Sequence, residues 1–178
     1  MDLFPRPSPS TLEIYCSLNN YINIAPKTLY GKTNASNLDI RKLIDRMLPL
    51  AKRQMMLISK NFKGKTDKDT ARNIYDFLKV RITYKEDGPN QVVKAPSALI
   101  RDSVGDCKSY AVFTSAILSN LKIPHSLVYT SYNNDPTPGH VYVQLKDGTI
   151  IDAVWHSFNS EKTPTYKYFK KIIWIYEE

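Results

Sequence analysis

The hydrophobic spacing of this chain changes character at Pro124. Upstream, apolar residues recur at three- and four-residue intervals, the period of a helix face. Downstream they fall into short runs rich in Val, Ile, Tyr and Thr, bounded by Gly, Pro, Asn and Asp. Helices first and strands later predict an α+β domain, with helices packed on an antiparallel β-sheet. With 178 residues the chain is long enough for one core. No internal repeat or low-complexity segment divides it, so residues 1–178 are expected to form a single domain, helical over 1–80 and sheet-bearing over 81–178.

The first nine residues are proline-rich and read as extended. Ser10 and Glu13 have capping-box spacing, which predicts a helix from Thr11 towards Ile24 with Leu12, Tyr15 and Cys16 on one face. A loop through Pro26 and Gly31 follows. Asn37 or Asp39 then opens a long helix to about Asn61. Leu43, Met47, Leu50 and Gln54 mark one stripe of it, which Ile40, Ile44, Leu48 and Met55 widen. Pro49 inside this helix predicts a kink or a break. Thr66 or Asp67 caps the next helix, to about Val80, burying Ile74, Phe77 and Leu78. Residues 81–84 read as extended, 85–96 as a loop, and Pro96 as the start of a helical turn to about Arg101. Strands are expected over 126–132, 140–146, 149–154 and 168–176.

The formal net charge is +8, which suits an anionic partner such as nucleic acid, an acidic polymer or a cell envelope. The basic residues are spread out rather than clustered, a pattern that serves solubility equally well. Neither a phosphate-loop nor a zinc-finger motif is present, so nucleic acid has charge alone in its favour. The two cysteines, Cys16 and Cys107, show no CxxC or Cys/His zinc spacing and read as free thiols, Cys16 as a small buried hydrophobe. The N-terminus lacks the basic and apolar regions of a signal peptide, and no run approaches the length of a membrane span. The expected setting is the cytoplasm or a virus particle.

Chemistry concentrates in two stretches. In Val104-Gly105-Asp106-Cys107, Gly105 permits a close backbone approach and Asp106 is a good N-cap. Cys107 then falls in the first turn of a helix continued by Tyr110, Ala111, Thr114, Ile117, Leu118 and Leu121. Unpaired N–H groups and the positive end of the helix dipole favour a thiolate there, and the same N–H groups can hold an oxyanion. A buried cysteine opening a core helix is the equally open alternative.

The second stretch runs from His140 to Asp152 and reads as two strands joined at Asp147-Gly148. A two-residue loop would put Asp152 opposite Val143, on the face away from His140. A three-residue loop ending at Gly148 pairs Leu145 with Thr149 and Tyr142 with Asp152. His140 and Asp152 then share a face, roughly 7–8 Å apart along the diagonal, within reach of their side chains. A catalytic pair therefore requires the longer loop. An aspartate late in the apolar run Ile150-Ile151-Asp152-Ala153-Val154 also needs a partner to offset its burial.

Together these residues resemble the transglutaminase-like superfamily of the papain-like fold. The resemblance rests on Gly105-Asp106-Cys107-Lys108, a helix, Leu121-Lys122-Ile123-Pro124, then His140-Val141-Tyr142-Val143 and Ile151-Asp152, and it covers residues 80–155. It implies Cys107 as nucleophile, His140 as base, Asp152 as orienter, and no cofactor. It also points to Gln91, in the loop before the helix, as an oxyanion-hole side chain, a solvated loop glutamine being the alternative. Tyr142 and Trp155 are candidates for lining the cleft, with core packing the plainer role for Trp155. His125 reads as structural. His140, His156 and Asp152 lack the dense spacing of a metal site.

The implied chemistry is acyl transfer through a thioester. Resolution by water makes a cysteine peptidase or amidase acting on peptide or isopeptide amides, with cell-wall peptides the substrate that a basic bacterial or phage enzyme would meet. Resolution by a lysine amine makes a cross-linking transglutaminase, and loss of ammonia followed by water makes a deamidase. The contrasting expectation is a non-catalytic binding protein or virus-particle component on the same fold.

Overall fold

The computed structural model describes residues 26–132 and 139–161 and the backbone of 170–174. The helix expected over 11–24, with Cys16, lies outside these residues. Helix α1 (Asn37–Met55) begins one residue after Ser36, whose hydroxyl accepts from the Asp39 N–H while the Asp39 carboxylate accepts from the Ser36 N–H. This reciprocal cap has Asp where Glu is usual, and it fixes the start that the sequence left between Asn37 and Asp39. The helix is not broken at Pro49. Met47 and Ala51, fully buried on either side of it, supply packing that offsets the missing main-chain bond. It ends at Met55, short of the expected Asn61, and a 3₁₀ turn (Ser59–Phe62) follows.

Helix α2 (Asp67–Arg81) has the same kind of cap, from Thr66 and Asp69. The short α3 (Pro96–Asp102) has no side-chain cap of its own. The buried Gln54 of α1 supplies one, accepting from the Ser97 N–H at 3.0 Å while its amide donates to the Pro26 carbonyl at 3.2 Å. Helix α4 (Cys107–Asn120) is the centre of the molecule. Residues 108–118 are all buried, as expected of a helix covered on every side. It packs on α1 and on the main sheet. Phe113 of α4 stacks on Phe77, with ring centroids 5.4 Å apart, and Phe62 meets both edge-on. Each buried phenylalanine contributes roughly 1.5–3 kcal/mol.

The main sheet is antiparallel in the order β7 (Ile150–Ile151), β6 (His140–Leu145), β5 (His125–Thr130), β8 (Lys170–Trp174). The fold is thus α+β, helices on an antiparallel sheet. Two features depart from expectation. The segments read as loops at 26–31 and 85–96 pair as an antiparallel ribbon, β1 (Leu29–Thr33) with β3 (Asn90–Lys94). Neither alternates cleanly, and Val93 is the one fully buried side chain among these ten residues, so neither carries a strand signal of its own. A second pairing, β2 (Thr83–Tyr84) with β4 (Val104–Gly105), is parallel.

His125 is fully buried between α4 and the sheet. Its Nδ1 donates to the Ile123 carbonyl at 2.8 Å, which leaves Nε2 to accept from the Ser115 hydroxyl at 2.8 Å. Burial pushes the ring down to about 4, so it is a neutral packing group. No helix among the described residues is long and apolar enough to cross a membrane.

Candidate active site

Three elements converge on Cys107. It is the first residue of α4, half-buried, and the Asp106 carboxylate before it caps the helix through the Ser109 N–H at 3.2 Å. Gly105 is needed for this approach: a Cβ there would run into the Leu99 side chain. The first-turn N–H groups of α4 therefore lie at the mouth of a helix whose remaining turns are locked in the core.

His140 opens β6. Pairing of Val143 with Ile151 and Gln144 with Ile150 is the register of the three-residue connection, and Gly148 at its end has φ +92°. Continued by one residue, this register brings Asp152 beside His140, whose Nε2 donates to Asp152 Oδ2 at 2.6 Å. The other carboxylate oxygen accepts from the Val154 N–H at 3.2 Å. Both oxygens of a 4 % exposed aspartate are thus satisfied. With Nε2 protonated towards Asp152, Nδ1 is the nitrogen left to face Cys107, which borders the same cleft. Burial works against a charge on His140. The hydrogen bond to Asp152 and the electrostatic influence of Asp152 and of the nearby Cys107 outweigh it and hold the ring up at about 10.

Tyr132, Tyr142 and Trp155 enclose the imidazole, their ring centroids 5.8, 6.1 and 5.7 Å from it. Tyr142 is buried, with its hydroxyl donating to Glu161 at 2.8 Å. The Trp155 carbonyl accepts from the Tyr75 hydroxyl at 2.7 Å, which ties this segment to α2. Neither Tyr142 nor Trp155 borders the cleft that holds Cys107. Both rings pack against the histidine instead.

Gln91 does border that cleft, but from strand β3 rather than a loop. Its orientation is set by Lys108, the residue after the candidate nucleophile. The Lys108 ammonium donates to Gln91 Oε1 at 2.8 Å, which turns the amide nitrogen towards the Gly88 carbonyl, also at 2.8 Å. Lys108 is 4 % exposed and also pairs with Asp106 and, at 3.3 Å, with Asp87. Burial opposes its charge, but the adjacent carboxylates raise its pKa above the usual lysine value. Sequence reading passed over this cluster. Its signal was a cation in the first turn of a helix, where the dipole disfavours it unless carboxylates lie close.

The cleft has a volume of about 280 Å³. Cys107, His140, Gln91 and Lys108 border it on one side; Leu38, Ile40 and Arg41 of α1 close the other. His156 is exposed, and no group of three or more His, Cys, Asp or Glu among the described residues is placed to hold a metal ion. The arrangement can carry a proton between sulfur and imidazole and present helix N–H groups to a developing oxyanion.

A family model described as a transglutaminase-like domain matches residues 53–166, more than half of the chain. No curated protein and no solved structure matches it.

Proposed function

The chain belongs to the transglutaminase-like family, and we propose from that premise that it is a cysteine-dependent acyl-transfer enzyme that hydrolyses peptide or isopeptide amides. The observation that carries this reading is the placement of one imidazole: His140 is 2.6 Å from Asp152 through Nε2 and borders the same cleft as Cys107. A ring with raised proton affinity can accept the thiol proton and hold it beside the sulfur. Cys107 sulfur then adds to the amide carbonyl carbon, and the oxyanion is met by the first-turn N–H groups of α4. His140 returns the proton to the amide nitrogen, the C–N bond breaks, and an amine leaves a thioester behind. The neutral ring next takes a proton from water, hydroxide adds to the thioester, and the C–S bond breaks to release the acid and the Cys107 thiolate, which regains the proton from His140. Asp152 fixes the tautomer and stabilises the imidazolium throughout.

Hydrolysis is favoured over transfer to a lysine because Cys107 is part-exposed, so water reaches the thioester. The test is labelling with a peptidyl chloroacetamide, followed by mass-spectrometric mapping of the modified residue. Cys107 of the wild-type chain should be modified rapidly at neutral pH, and His140→Ala should slow it at least about tenfold. A Cys107 no more reactive than a thiol in the unfolded chain would instead support a non-catalytic protein on this fold.

A further inference from the structure

One wall of the Cys107 cleft is built from the start of α1, ahead of the segment that the family model matches. Leu38, 60 % exposed, and Ile40 form an apolar rim on it, and Arg41 adds a cation. Among the described residues, the charged groups bordering the cleft besides His140 are Arg41 and Lys108, both basic. Lys108 is neutralised by Asp87 and Asp106. Arg41 is held only loosely: its Nε is 3.9 Å from the Asp45 carboxylate, beyond hydrogen-bond length, and both side chains reach solvent.

Tyr129 of β5 borders the same cleft. It is 7 % exposed, yet its hydroxyl has no hydrogen-bond partner among the described residues. Tyr129 shares this cleft with Arg41 on the α1 wall and with Cys107. A buried hydroxyl without a partner is costly and rare, and a ligand oxygen that reaches it removes the deficit.

We propose that Arg41 and Tyr129 form a carboxylate-binding subsite beside Cys107, which makes acidic peptides the preferred acyl donors. The guanidinium pairs with the carboxylate through its exposed fork, the phenol donates a second hydrogen bond from the cleft floor, and Leu38 and Ile40 cover a neighbouring apolar side chain. Asp45 beside Arg41 opposes any anion, so two donors are needed rather than one. The net charge of +8 also raises the local concentration of acidic peptides.

The subsite's catalytic use rests on the acyl-transfer reading of Cys107, but its binding does not. Binding is therefore measured on the Cys107→Ala chain, with fluorescein-labelled hexapeptides of an Ala-Leu background in which each position in turn is Glu, Gln or Lys. At one position or more, Glu should bind roughly tenfold tighter than Gln, and Lys weaker than either. Arg41→Gln should erase the difference and Tyr129→Phe should reduce it several-fold, with affinity for the Gln peptides falling less than that for the Glu peptides. A Glu preference absent at every position, or intact in either variant, overturns the proposal. A chain that prefers Glu but has an inert Cys107 keeps the subsite and loses the enzyme.

Discussion

The Lys108 ammonium sits 2.8 Å from Oε1 of Gln91 and, on its other side, against the Asp106 and Asp87 carboxylates. One buried cation thereby orients a cleft side chain and balances two acids. Replacing it by methionine, similar in length and apolar, would leave the carboxylates buried without their counter-ion. Lys108→Met should destabilise the fold by about 3–5 kcal/mol in urea denaturation. A loss under about 1 kcal/mol would mean that the two acids find other partners.

Asp152→Asn keeps the shape of the side chain but offers His140 an amide in place of an acceptor-only group. The ring can then turn its tautomer and present N–H to the sulfur. The expected result is a fall in kcat of about 10²–10⁴-fold with KM little changed. Amide hydrolysis by wild-type and variant chains reads it directly, and an unchanged kcat would remove Asp152 from the mechanism.

The state of His140 also predicts how stability depends on pH. Its pKa is raised from 6.5 to about 10 in the folded chain, so its protonated form binds more tightly folded than unfolded. That contribution is complete below about pH 6.5 and is lost as pH rises through about 10. The gap in urea midpoint between wild type and His140→Gln should therefore narrow between about pH 7 and pH 11. A gap that widened over this range would reverse the assignment of the shift.

Gly105→Ala tests the approach to the candidate nucleophile. The added methyl meets Leu99 Cδ1, with the Ser109 and Tyr110 side chains next nearest. The expected cost is about 1–3 kcal/mol of stability. The double variant Gly105→Ala/Leu99→Ala should lose less than the sum of the two single changes, because the second removes the obstacle to the first.

The hairpin was legible because few arrangements satisfy it. Strand alternation leaves two registers, only one puts His140 and Asp152 on one face, and Asp147-Gly148 supplies the residues for it. The helix start at Cys107 was legible from its local cap, and the start at Asp67 to within one residue, Thr66 and Asp67 both reading as caps. The ribbon Leu29–Thr33 with Asn90–Lys94 was not, since its pairing joins segments far apart in the chain, neither of which alternates. Gln91 was read onto a loop for the same reason. The partners of Lys108, and the Tyr129 hydroxyl left without a partner among the described residues, are tertiary facts: a lysine in a first turn or a tyrosine in an apolar strand reads the same whether it faces solvent, a carboxylate or a cleft.

The burial of residues 108–118 divides labour within the cleft. Displacing the seat of the sulfur would mean dismantling the core, so innovation is confined to the opposite wall. Leu38 and Arg41 are surface positions on a helix end whose other turns are anchored. Under the proposed function, exchanges there would retune substrate choice at little expense in stability, which makes the start of α1 the natural ground for divergence.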